Sequence, residues 1–242
     1  MTELMENDIW ADQAASHPGG QMLTKRMIQR ALQGGWLTKH SRLLDLGCGS
    51  GETVKLLRSM DFQAEGIDLR ADKHEAYLVK GDASLLPWKE HFFQGVLAEC
   101  TLSVMDTGNV LPEVLRILEP GGIFLVSDIF ELGRRPTWPE TYNFELLYLE
   151  NATPCLRNYI SEWIWKNERA CPPLCLEGRK ITPDNLSYYY AILRKKERGQ
   201  DTTVKRNAVP SPEAAAYWGI SPEEAAQKRS STISFKKSSK IM

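Results

Sequence analysis

Several things are scarce in this chain, and each scarcity excludes a class of protein. Net charge is almost absent: 30 Lys and Arg stand against 31 Asp and Glu, a formal charge of -1. A chain so balanced is not built mainly to coat nucleic acid. Cysteine is sparse, with Cys48, Cys100, Cys155, Cys171 and Cys175 scattered and odd in number. That is not a disulfide framework, and 242 residues bury enough apolar surface to fold without one. No apolar run approaches the length that spans a bilayer. Met1 to Asp12 holds Glu3, Glu6 and Asp8 and lacks a continuous apolar stretch, so no secretory signal is expected there. Reduced cysteines in a cytoplasm, with no membrane attachment, are the expectation.

The charge that is present is unevenly spread. From Arg194 to Met242, 11 Lys or Arg face 5 Asp or Glu, which leaves an acidic body and a basic tail. Residues 197–242 are polar and poor in large apolar side chains, and are expected to be disordered, with a brief helix at 222–228.

Periodicity orders the rest. His17-Pro18-Gly19-Gly20 reads as a turn, and residues 22–33 as an amphipathic helix stopped by Gly34-Gly35. A strand at 41–46 breaks into Gly47-Cys48-Gly49-Ser50-Gly51, and a helix with Val54, Leu56 and Leu57 follows. Further strands are read at 64–68, 76–82, 92–98 and 123–129, with a helix at 112–118. Strands alternating with helices predict an α/β fold: a Rossmann-like, doubly wound, mostly parallel sheet with helices on both faces. Leu156, Tyr159, Ile160, Trp163 and Ile164 mark another amphipathic helix. Residues 171–183 read as a loop, and 187–193 as a last strand.

The glycine turn is the strongest chemical feature. Glycines at the end of a first strand let backbone approach a ligand closely. A dinucleotide site would want G-x-G-x-x-G. That pattern fails in both frames, because Glu52 and Val54 stand where its third glycine belongs. Glu52 also puts a negative charge where a pyrophosphate would sit, so a ligand without phosphate fits better.

An acid, Asp45, set one residue ahead of this G-x-G-x-G turn resembles the first motif of the class I S-adenosylmethionine-dependent methyltransferases. The order of later motifs is similar: Asp68 closing the second strand, Gly81-Asp82-Ala83 after the third, Glu99-Cys100-Thr101-Leu102 after the fourth, and Leu118-Glu119-Pro120-Gly121-Gly122 before the fifth. The resemblance covers about residues 41–130 and extends to the final strand. It implies S-adenosyl-L-methionine as cofactor, held by Asp45, Gly47, Cys48, Gly49, Gly51, Asp68, Leu69, Asp82, Ala83 and Glu99. Asp68 would take the ribose hydroxyls and Asp82 the adenine amine, with helix capping as the rival for Asp82. Glu99 is the catalytic candidate, as an acid or base on the substrate side, or else a polar group at a strand end. Cys48 is read as a small residue that fits the turn rather than as a nucleophile.

The resemblance further implies that the final strand is antiparallel. A partner before it is not evident in the sequence, so the distal edge of the sheet is expected to be shortened. Gln94 stands where the family often has Asp, a position usually structural. The implied organisation is a helical cap at 1–40, a cofactor-binding domain at 41–196 with a substrate-side segment at 136–186, and the tail. His17 lies where amino-terminal segments of the family fold over the cofactor; a loop histidine without function is the alternative. Cys171-x-x-x-Cys175 has no paired second set, so zinc is not expected, although with Cys155 it would make a thiol group for a soft substrate. Trp138, Tyr142, Phe144, Tyr148, Tyr159, Trp163 and Trp165 are read as mostly core and lid packing. The expected partner is a small-molecule acceptor. The N-P-P-[YF] motif of amine methylators is absent at 99–102, which argues against nucleic acid. The rivals are a non-catalytic cofactor-binding protein and an RNA or protein methylator guided by the tail.

Overall fold

We describe a computed structural model covering residues 17–71, 75–131, 138–168, 174–176 and 179–196. The tail at 197–242 and Cys171 therefore lie outside the described residues. The first helix, α1 (Gly20–Gln33), buries Leu23, Met27, Ile28 and Ala31. Then come β1 (Arg42–Leu46), α2 (Glu52–Ser59), β2 (Gln63–Asp68), β3 (Leu78–Lys80) and β4 (Phe93–Glu99). Helix α3 (Thr107–Ile117) leads into β5 (Leu118–Glu131). The distal half holds α4 (Trp138–Thr141), β6 (Phe144–Asn151), α5 (Thr153–Asn167), β7 (Leu174–Leu176), β8 (Arg179–Ile181) and β9 (Leu186–Lys195).

Seven strands form one sheet in the order β3-β2-β1-β4-β5-β9-β6. The pairs from β3 to β5 are parallel, while β9 runs antiparallel to both β5 and β6. Two apolar layers cover its faces. One gathers side chains of α1, α2 and α5 against Leu43, Leu97 and Leu125; the other packs α3 against Leu44, Val96 and Phe124. The doubly wound α/β expectation is met. No helix among the described residues is long and apolar enough to cross a membrane.

The expected shortening of the distal edge is corrected. The strand beside β9 is β6, whose sequence FELLYLEN is rich in helix-favouring Leu and Glu. Seven register pairs with β9 override that local preference, with an irregularity between Leu146 and Tyr148. The 171–183 stretch, expected as loop, contains the small β7–β8 pairing.

Helix α3 begins five residues before the expected Pro112. Asp106 caps it by accepting from the Gly108 N–H, and Pro112 lies inside the helix. Proline cannot donate to the Gly108 carbonyl one turn back. The Tyr142 hydroxyl donates to that carbonyl instead, at 3.4 Å. Gln94 is structural, as expected: its carbonyl accepts the Arg42 N–H and its amide donates to Glu119.

Candidate functional site

The glycine turn joins β1 to α2 at the carboxyl edge of the sheet, where ligands of open α/β sheets bind. Gly47, Gly49 and Gly51 all have positive φ, 79°, 51° and 83°. Two of them are also fixed by close packing. A Cβ on Gly47 would lie 2.4 Å from the Thr101 methyl, and one on Gly51 2.7 Å from Leu78. The turn is tied to β2, since the Gly47 and Cys48 N–H groups both donate to the Ile67 carbonyl. The Cys48 side chain points into the core: it is buried, and its sulfur would meet a Cβ on Gly66 at 2.7 Å. Burial, then Asp45 and Asp68, push its thiol upward, so it is no nucleophile.

Three acids converge on this turn. Asp68, at the end of β2, accepts from the Gly49 N–H at 3.1 Å and from the Arg70 N–H at 2.7 Å, one on each oxygen. A carboxylate offers about four acceptor positions, so two remain for a ligand. Asp45 is 3% exposed within β1. Its carboxyl is held well above the usual range by burial first, then by the negative charges of Glu99 and Asp68. Glu99, buried at the end of β4, accepts from Thr24 Oγ1 at 2.9 and 3.2 Å and from Thr53 Oγ1 at 3.1 Å. His17 Nε2 stands 3.4 Å from the same carboxylate. A cation bound beside these acids would be favoured by their ionised forms, Asp45 included.

Asp82 follows β3 on the surface. Its Oδ1 accepts both the N–H and the hydroxyl of Ser84, each at 2.8 Å, and these hold its carboxyl below the usual range. Ala83 is buried, whereas Leu69 and Leu85 are exposed apolar side chains of the loops after β2 and β3.

Thr24 and Thr53 escaped the sequence reading. Thr24 is 0% exposed on α1, between Leu23 and Met27 on the buried face. A polar residue on an apolar helical stripe was the available signal. His17 belongs to the same cluster, bridging the turn before α1 to Glu99. A hub on Glu150 further fastens α1 to the distal sheet: Arg26, Tyr148 and Tyr190 donate to it at 2.7, 2.8 and 2.8 Å. Arg30 lies over the Tyr148 ring.

The aromatic group divides. Phe144, Tyr159 and Trp163 are buried, whereas Trp165 is 86% exposed. Among the described residues no group of acids, histidines and cysteines could hold a metal ion, and Cys48, Cys100 and Cys155 are free thiols. The thiol group suggested with Cys171 falls outside the described residues.

Residues 44–126 match a family model described as a methyltransferase domain. Among curated proteins, an uncharacterized methyltransferase, YodH of Bacillus subtilis (strain 168), is 27% identical over 124 residues, covering 46% of this chain and 52% of that protein. The sterol 24-C-methyltransferase erg6 of Aspergillus fumigatus is 33% identical over 103 residues, covering 36% of this chain and 27% of that one. The chain thus spans about half the length, or less, of these relatives. Among solved structures, the cyclase SpnF superposes with a TM-score of 0.54 at 20% identity, over 81% of this chain and 92% of that one. A likeness at that identity establishes the fold, and one fold serves many reactions.

Proposed function

We propose that this chain is a class I S-adenosylmethionine-dependent methyltransferase, a reading supported by the methyltransferase-domain match over residues 44–126, and that it moves a methyl group from S-adenosyl-L-methionine to a small-molecule acceptor. The observation that carries this reading is the convergence of Asp45, Asp68 and Glu99 on a glycine turn that has no phosphate-binding pattern. A sulfonium nucleoside that also carries an ammonium group suits such a pocket. A phosphorylated cofactor does not.

The residues present fit that cofactor. Gly47, Gly49 and Gly51, with the Cys48 backbone, leave room at the tip of β1 for close approach of a ligand. Asp68, with one lone pair on each oxygen already engaged, would present the others to the ribose diol. Leu69 and Ala83 would flank the base, and Asp82 would face its amine. Glu99 and Asp45 would face the cationic end. When bound, the cofactor brings an already activated methyl group, so the protein needs no covalent intermediate of its own. What remains for the chain is to align the acceptor and exclude water. Thr24 and Thr53 orient Glu99, which would serve as the base for any proton lost by the acceptor. The match to a sterol methyltransferase supports a small acceptor.

In this reading the 1–40 segment, whose first 16 residues lie outside the described residues, caps the site, 41–196 form the cofactor-binding unit, and the described part of 136–186 bounds the acceptor side. The free thiols support a cytoplasmic setting. The test is methyl-labelled S-adenosylmethionine incubated with the protein and fractionated metabolite pools. Label should pass to a small molecule as S-adenosylhomocysteine accumulates. If calorimetry detects no binding of either nucleoside, the reading fails.

A further inference from the structure

The segment that follows Glu99 has an anchor of its own. Asp128, 2% exposed on β5, accepts from the Ser103 N–H at 2.9 Å and from its neighbour's Ile129 N–H at 2.7 Å. The Ser103 hydroxyl and the Leu102 N–H lie near enough to favour its ionised form as well. Leu102–Val104 form a single helical turn, and the residues on either side of that turn pack on the glycine turn. A Cβ on Gly47 would meet the Thr101 methyl at 2.4 Å and the Met105 methyl at 3.3 Å. The position of 101–105 relative to β1 therefore depends on where β5 holds Ser103.

We propose that Asp128 is a positioning residue, whose carboxylate holds the Leu102–Val104 turn against Gly47 and so sets the acceptor-side wall of the glycine-turn site. Its hydrogen bond from the Ser103 N–H crosses 25 residues of sequence and is made to backbone, so it specifies a position rather than a side-chain identity. Removing the carboxylate strands the Ser103 amide where little water can replace it. The wider setting favours a switchable anchor. Burial drives the Asp128 carboxyl up to about 6, against the pull of those four N–H and O–H groups. The titratable groups facing it are the Cys100 thiol on the β4 side and Tyr189, its register neighbour on β9. The same burial keeps Cys100 neutral, so its thiol adds no competing charge at neutral pH.

The test is hydrogen exchange at the Ser103 amide in the free protein, corrected for intrinsic rates. Protection in the parent should fall about tenfold between pH 7 and pH 5, as the carboxylate takes a proton. Asp128→Asn should show the lower protection at both pH values. Its affinity for S-adenosylhomocysteine should drop by roughly tenfold, a consequence that rests on the cofactor reading above. A pH-independent parent, or an Asn variant with parental protection, overturns the proposal. Should the variant not fold, the parent's pH profile decides alone. If the nucleoside binds neither protein, the cofactor reading falls and the exchange result still judges the anchor.

Discussion

Replacing Asp45 by Asn should have two effects of opposite sign, and both follow from the same buried carboxyl. Asp45 lies on β1 between Gly66 of β2 and Leu97 of β4, 3% exposed. Burial, Glu99 and Asp68 together hold its carboxyl well above the usual carboxylate range. A folded-state value above the unfolded one gives stability that is full below the unfolded pKa and is lost as pH rises through the folded pKa. Each unit of elevation corresponds to about 1.4 kcal/mol. Asn titrates nowhere, so Asp45→Asn should gain on the parent as pH rises from about 4 upward, whatever constant offset its shape introduces. A cation bound at the turn reverses the preference by favouring the carboxylate. Binding should therefore release a proton from the parent. The variant should lose about 1.5–3 kcal/mol of affinity, roughly 10–150-fold in Kd. Denaturant titrations at several pH values read the first effect. Calorimetry with S-adenosylmethionine in two buffers of different ionisation enthalpy reads the second. A stability difference independent of pH, together with proton-neutral binding at unchanged Kd, would refute the electrostatic reading of the site.

Three further outcomes are expected. Gly47→Ala places a methyl group 2.4 Å from Thr101 at a φ of 79°, and should abolish nucleoside binding while circular dichroism keeps the α/β signature. Asp68→Ala removes the acceptor of the Gly49 and Arg70 amides and should weaken nucleoside binding by about 1–3 kcal/mol, read by calorimetric titration. Thr24→Val keeps the shape but takes a donor from a buried carboxylate, a loss of about 1.5–3 kcal/mol, so thermal unfolding should shift down by roughly 3–12 °C.

The parts of this molecule that sequence discloses are those whose cause is local. The glycine turn, the acid closing β2 and the acid closing β4 are set by strand ends and by backbone freedom, which neighbouring residues announce. Pro112 misled because proline at a first helical turn is so common, whereas here a capping aspartate starts the helix earlier and a distant tyrosine serves the carbonyl that proline cannot. The β6 stretch misled because its composition favours helix, and only the partner strand some 40 residues later decides otherwise. Thr24 stood out only as a polar residue on an apolar stripe, and its role was hidden because its partner Glu99 lies 75 residues away.

The order of the strands also governs when this chain can fold. Leu186–Lys195 is the last strand among the described residues, yet it is slotted between two strands made long before it. Until a ribosome has released those ten residues, β5 and β6 have no ladder joining them, and both present open edges to other chains. Eight consecutive buried positions, from Leu186 to Leu193, are delivered in that single late step. Premature termination between β6 and β9 would leave a five-stranded sheet and an unpaired β6 rather than a trimmed protein.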